Sequence, residues 1–445
     1  NGDSGGMIKS NATGRVMNIN GRDFRFKVSG EMQTLSNQTQ FGLHRDDWGN
    51  WFGNNNPNWL WHVHLPLHYV TRNPHLVVKD TRQMLFNYPD SRRCFPISPR
   101  MERPNMPGSY GMVTSANSPS PYRGGLFGPD FEHSVFISEP VHNLVHREML
   151  EPDGVTFTSH RAKGEDKSEF LASSDNWFRP TMTKTGPDGA LYVADMYRLV
   201  IEHPKWIPPG MQSRVNLREG SNRGRIWRVF PKGSKLRKTP RLDRMTTKTL
   251  VAALDSPSGW QRDTIQRLLL DRDDEDAFDG LRKLAQTSKN PKVRLQALCI
   301  LEGLDSLDAK VLKQALEDPH FSVREQAVRL CEGNHADLIV SRIEDESIRV
   351  RRQVAFSLGE WKNPEAGKAL VRLALADANE PRVQLAVKSS ALPHAAAMLK
   401  HIFSEKTKAP AGLLSDLIRF AILDDNLESL AKVFDEIAAD KDLRR

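Results

Sequence analysis

The chain has 445 residues, 38% hydrophobic and 27% charged, which is ordinary for a globular protein and long enough for two or three domains. No run approaches the roughly 18 to 20 consecutive apolar residues that a membrane-spanning helix needs, so no transmembrane segment is expected. The formal charge of +8 is concentrated: between Arg223 and Lys248 ten Lys or Arg face a single acid, Asp243, which reads as a solvated basic linker rather than a nucleic-acid surface.

Residues 1–232 hold short apolar runs punctuated by Gly, Pro, Asn and Asp. GRVMNIN (14–20), DFRFKVSG (23–30), HSVFISEP (133–140), NLVHREML (143–150), ALYVAD (190–195) and GRIWRVF (224–230) all read as strands. A unit repeats among them. FGPDFEHSVFISEPVHNLVHREML (127–150) lines up with TGPDGALYVADMYRLVIEHPKW (185–206), and residues 41–63 give a looser third copy. A turn-and-strand unit returning every 40 to 60 residues or so is what propeller blades produce, because each blade buries its faces against its neighbours. The expected fold is therefore an all-β propeller portion over 1–232, its C-terminal blades, with Gly186, Pro187, Asp188 and Gly189 forming a turn.

After the basic linker (233–248) the period changes to helical. WQRDTIQRLLL (260–270), VRLQALCIL (293–301), VREQAVRL (323–330), VRRQVAFSL (350–358) and RVQLAVKSS (382–390) repeat, with Arg at 262, 294, 324 and 351. Short Asp, Pro and Asn turns separate them, so each repeat reads as an antiparallel helix pair that buries its apolar stripe by stacking. Residues 249–445 are expected to form an all-α HEAT-like solenoid, an arm offering a surface to other proteins, with a further helical pair or cap over 410–445. Cys94, Cys299 and Cys331 form no CxxC pair, and no CxxCH occurs, so haem c has no attachment site in this chain.

WGNWFGNNN, EPVHNLVHREMLEPDG, EFLASSDNWFRP, GPDGALYVADMYRLVIEHPKWIP and GRIWRVFPKG together resemble the PVC-type membrane-bound dehydrogenase family, large secreted proteins whose propeller precedes HEAT-like repeats and usually a cytochrome c domain. That propeller is in turn similar to quinoprotein glucose and sorbosone dehydrogenases. The resemblance implies part of an extracytoplasmic dehydrogenase, periplasmic or membrane-associated, that oxidises a sugar or alcohol with pyrroloquinoline quinone and calcium and passes electrons to a cytochrome c. It starts partway along the family's propeller and stops before the haem domain, so the chain is expected to be a fragment. The competing expectation is a non-catalytic protein whose propeller and solenoid recognise a glycan or a protein.

The candidate site residues follow from position. Arg179 precedes the strand of the 186 repeat, where its fork suits quinone carboxylates. Asp195, Tyr197 and Arg198 end that strand, and Glu139 and Asn143 occupy the matching place one repeat earlier. Such convergent groups suit calcium, or a general base in the case of Asp195, with Tyr197 and Arg198 beside the cofactor. His44 is a candidate base and Asp46 its orienter. Against these stand salt bridging between sheets, strand-end hydrogen bonding and turn capping.

Overall fold

The computed structural model describes residues 5–35, 37–78, 80–101, 106–333, 335–410 and 412–423, with 430–432, 434, 435 and 438 beyond them. The first part is β-rich. Two hairpins come first, β1 (Met7–Lys9) with β2 (Val16–Asn18) and β3 (Phe24–Phe26) with β4 (Met32–Thr34). Three larger antiparallel sheets follow. One has the order β5 (Leu43–Arg45), β6 (Trp51–Asn55), β7 (Asn58–Val63), β8 (Arg82–Met84). The next is β9 (Asn117–Pro121), β10 (Ser134–Glu139), β11 (Leu144–Asp153), β12 (Thr156–Arg161), with β13 (Leu171–Ala172) also on β11. The last is β14 (Pro180–Thr185), β15 (Leu191–Asp195), β16 (Arg225–Val229). Among the described residues these sheets do not join into a closed ring. The architecture seen is a β-rich part followed by a helical one, and closure expected from the repeat is not observed.

The middle sheet is buried on both faces, which its sequence explains. Successive strand residues point to opposite sides. Val135 and Ile137 enter a core with Phe52, Trp59 and Leu60, and Phe136 between them enters a second core with Tyr122, Leu191 and Val193. Each fully buried side chain of this size contributes about 1.5–3 kcal/mol. The turn before β15 forms as its residues dictate: Gly189 sits at φ +90°, and Asp188 accepts the Ala190 N–H at 3.1 Å.

Helices α1 (Leu67–Thr71) and α2 (Pro209–Gln212) are short. From residue 247 the chain is helical: α3 (Thr247–Ala253), α4 (Gly259–Arg272), α5 (Phe278–Thr287), α6 (Pro291–Gly303), α7 (Ala309–Leu316), α8 (Phe321–Leu330), α9 (Ile348–Ser357), α10 (Pro364–Ala376), α11 (Pro381–Ser390), α12 (Ala395–Ser404) and α13 (Leu413–Leu423). Asn290 and Asn363 cap α6 and α10, each followed by Pro at the first helical position. The pair or cap expected over 410–445 is described as α13, and much of what lies beyond Leu423 falls outside the described residues.

The recurring arginines form a ladder. Arg294 grips Asp318 with Nε and Nη2 at 2.6 and 2.7 Å, Arg324 grips Asp345 at 2.8 and 2.9 Å, and Arg351 grips Asp377 at 2.8 and 2.7 Å. Each also sends Nη1 to the carbonyl six residues earlier, Ser288, Asp318 or Asp345, at 2.7–2.8 Å. The fork geometry of guanidinium on carboxylate explains why arginine, not lysine, recurs there.

The chain divides into two compact units that interleave in sequence: Asn1–His64, Asp80–Met245 and Ser256–Ile265 in one, Leu65–Lys79, Thr246–Asp255 and Gln266–Arg445 in the other. Two segments cross the boundary read from sequence: 256–265, which holds the start of α4, falls in the unit of the sheets, and 65–79 leaves the β-rich sequence to join the helices. Its residues show why. Tyr69 is wholly buried, stacks on Phe356 at 4.7 Å and donates to Glu332 at 2.6 Å. Arg72 donates to the Phe356 and Ser389 carbonyls, at the last turns of α9 and α11, and to Glu360, while Asn73 donates to the Lys388 carbonyl. One guanidinium thus serves the negative ends of two helix dipoles.

Candidate functional site

A cleft of about 580 Å³ opens where ends of the three larger sheets approach one another. Gln40 and Phe41 come to it from the lead-in to β5, Asn56 from the β6–β7 turn and Asn117 from the start of β9. Pro140 follows β10, Thr181 lies in β14 and Met196 follows β15. The stretch after β15 adds Ile201, Glu202, His203 and Trp206. Strands with short tight connections concentrate their ends in this way, so polar residues from distant sequence positions line one space.

The lining is mixed. Asn117 is 7% exposed and donates from Nδ2 to the Ser115 carbonyl at 3.1 Å, but its buried Oδ1 has no partner among the described residues. A buried amide oxygen without a donor costs about 1–3 kcal/mol, which a ligand hydroxyl would recover. His203 accepts the Lys205 N–H on Nδ1 at 3.1 Å, so its other ring nitrogen carries the hydrogen and is a donor. Trp206 is 55% exposed, an aromatic surface of the kind that stacks on apolar ligand faces, with the Lys205 ammonium 5.3 Å from its ring centre.

The structure gathers most of the residues read from sequence into a knot behind this cleft and occupies their polar atoms internally. Glu139, wholly buried, accepts from Thr114 N and Oγ1, Ser115 N, and His142 N and Nδ1, at 2.6–3.3 Å. His142 Nε2 accepts from Gly111 N–H at 3.0 Å, which assigns the Nδ1 hydrogen to Glu139. Burial pushes the Glu139 carboxyl up, but His142 and these hydrogen bonds outweigh it and hold it below its usual range. Asn143, at φ +59°, donates to the Asn176 and Phe178 carbonyls.

Arg179 donates Nε to the Arg198 carbonyl, Nη1 to Pro140 and Val141, and Nη2 to Leu199 and the Met101 sulfur. Burial lowers it to about 10. Asp195 accepts the backbone N–H of Arg179 and Tyr197, both at 2.8 Å, and the Trp227 ring N–H at 2.9 Å. Tyr197 sits at φ +49° and donates its hydroxyl to Asp175; Arg198 enters the knot through its carbonyl.

His44 and Asp46 lie apart from this knot. His44 is neighbour to Lys184, toward the far end of β14 from Thr181, and burial lowers it to about 4. Asp46 closes a turn by accepting from Trp48 N, Asn50 N and Asn50 Nδ2 at 2.7–2.9 Å. Burial raises its carboxyl.

The five N–H groups of Arg179 already have partners, and among the described residues there is no group of three or more His, Cys, Asp or Glu placed to hold a metal ion. The residues that do face the cleft were overlooked because nothing in their spacing marks them. Glu202, His203 and Trp206 lie in EHPKW, the last residues of the 185–206 copy of the repeat.

Among the described residues no helix is long and apolar enough to cross a membrane. No curated protein matches the chain. Among solved structures it is similar to an engineered protein, at 17% identity over 45% of this chain and 93% of that one, with a TM-score of 0.26 that supports no inference. Residues 1–233 match the family described as a domain of unknown function, DUF7133. That stretch is over half of the sequence, and the chain belongs to the DUF7133 family.

Proposed function

We propose that the chain is a recognition protein whose β-rich part binds a polyhydroxylated ligand, a sugar or a sugar-like alcohol, in the cleft at Asn117. The observation that carries this reading is the buried Asn117 Oδ1, without a partner among the described residues, in a cleft that also holds Gln40, Asn56, Thr181 and the half-exposed Trp206 ring. Amides and hydroxyls beside an aromatic face suit a ligand that is polar at its edge and apolar on its face. In this reading the three larger sheets are consecutive blades of a propeller, consistent with the middle sheet being buried on both faces. The resemblance to PVC-type dehydrogenases supports an extracytoplasmic setting and a place in a larger assembly with a cytochrome c.

Titration of the full chain with a panel of sugars and polyols, followed by calorimetry and Trp fluorescence, tests it. A subset is expected to bind, with affinity falling about tenfold or more in Asn117→Leu and Trp206→Ala. Failure of every ligand, or binding untouched by Asn117→Leu, overturns the reading. The dehydrogenase reading stands second, on the resemblance alone. Glu202 is the carboxylate that lines the cleft and would serve as its base. Dye reduction on adding pyrroloquinoline quinone, calcium and a bound sugar would reinstate it.

A further inference from the structure

The strand β16 pairs along its whole length with β15, without a register shift, and among the described residues no strand pairs with its other side. Both of its faces carry open apolar side chains. Ile226 is 70% exposed and Trp227, pointing to the opposite face, is 45% exposed; Phe230 just beyond is 41% exposed. Proteins ordinarily blunt such an edge with charged side chains, a proline, a bulge or a cover, because its free N–H and C=O groups recruit further strands, and of these β16 has only the charges of Arg225 and Arg228, which an acidic strand would neutralise. RIWRV has no proline and no bulge.

The charge around this edge selects the occupant. Arg223, Arg225, Arg228 and Lys232 lie within ten residues, and the carboxylates recorded near them are buried Asp195, 3.9 Å from Arg225, and buried Asp188, 3.3 Å from Arg228. Pairing with β16 of a second copy would bring four strand arginines into one two-stranded interface, which like-charge repulsion opposes. An acidic strand has the complementary charge.

We infer that β16 is a docking edge that takes an extended acidic segment of a partner protein as an added antiparallel strand. Its pattern follows from the register. Opposite Val229, Arg228, Trp227, Ile226 and Arg225 in turn, the partner reads apolar, acidic, apolar, apolar, acidic, as in Val-Glu-Val-Ile-Glu. A slip of one residue sets carboxylates against Ile226 or Trp227, so order matters as well as composition.

The test is fluorescence anisotropy of the full chain with a labelled, capped peptide built on Val-Glu-Val-Ile-Glu. Saturable binding is expected, weaker by about tenfold or more when alternate peptide nitrogens are methylated, when the order is scrambled, or in the Ile226→Glu chain. Ile226 is open enough that this change should leave the melting temperature unmoved. Three results overturn the inference: no saturable binding; equal binding of the methylated or scrambled peptides, or equal displacement by heparin, which assigns the patch to nonspecific polyanion attraction; or a dimer that Ile226→Glu dissolves, which assigns the edge to a second copy.

Discussion

Arg262 and Asp47 form an ion pair with side chains only 0% and 8% exposed, and Asp47 also accepts from Arg123 Nε at 2.6 Å. Arg262 sends Nη1 to the Ser256 carbonyl, six residues earlier, as the later ladder arginines do with theirs. What differs is the carboxylate. Arg294, Arg324 and Arg351 take theirs from the turn before a following helix, whereas the sequence position equivalent to Asp318 and Asp345 in the first repeat is Ser288. Arg262 uses Asp47, from the turn after β5, instead.

Asp47→Asn should therefore destabilise the unit that contains it by about 3–5 kcal/mol, because the buried Arg262 guanidinium loses this counter-charge while Arg123 is left with Asp263. The urea midpoint reports it. A double-mutant cycle with Arg262→Met should show strong coupling, and additive effects would disprove a shared pair.

Within the ladder, Arg324→Lys should cost about 1–2 kcal/mol and Arg324→Ala more, about 3–5 kcal/mol. Lysine keeps the charge beside Asp345 but loses the two-point grip and the bond to the Asp318 carbonyl, and alanine leaves the buried carboxylate with only the Ser347 N–H and Arg342 3.8 Å away. Equal losses for Lys and Ala, seen in thermal melts, would mean that charge contributes nothing there.

The helical repeat was legible because it obeys a period, and the ladder arginines mark that period at 262, 294, 324 and 351. Strands were legible for a similar reason, as in ALYVAD, which forms β15. The segment 65–79 was not. HLPLHYVTRN has neither a long period nor a motif, and its place is fixed by Tyr69 on Phe356 and Arg72 on two helix ends, contacts to residues some 280 to 320 positions away. In the candidate site, sequence repetition picked out Glu139 and Asp195, and position before a strand picked out Arg179. In the structure those residues tie strand ends together. The atoms left open to a ligand belong to Asn117 and the 201–206 stretch, which depend on tertiary contacts that no local pattern encodes.

That segment gives a further expectation. A Cβ at position 359 would lie 2.4 Å from Arg72 Cζ, so glycine is required there for the guanidinium to reach the carbonyls of α9 and α11. Gly359→Ala and Arg72→Ala should each lower stability by about 2–4 kcal/mol, through overpacking in one case and lost charge-assisted bonds in the other. The double variant should cost much less than the sum. Hydrogen exchange should quicken first in the last turns of α9 and α11, and uniform quickening would count against this account.

The buried His146 makes stability depend on pH with a defined sign. It stacks on Trp59 at 4.2 Å and lies between two carboxylates, Nε2 2.8 Å from Glu148 and Nδ1 2.8 Å from Glu169. Burial pulls the imidazole down, but Glu169 and the hydrogen bonds to both carboxylates outweigh it, and the folded group titrates above its ordinary value of 6.5. For Glu169 burial pushes upward, while His146 and Arg161 prevail and hold it below 4.5. The histidine's contribution is then complete below pH 6.5 and drains away as pH rises through its raised folded value; the Glu169 contribution is complete above pH 4.5 and is lost as pH falls through its lowered one. Stability should fall on the alkaline side of neutrality, and His146→Gln should remove that slope while lowering stability at pH 6. Urea midpoints measured from pH 5 to 9 would decide: a slope that persists unchanged in His146→Gln would show that another group carries it.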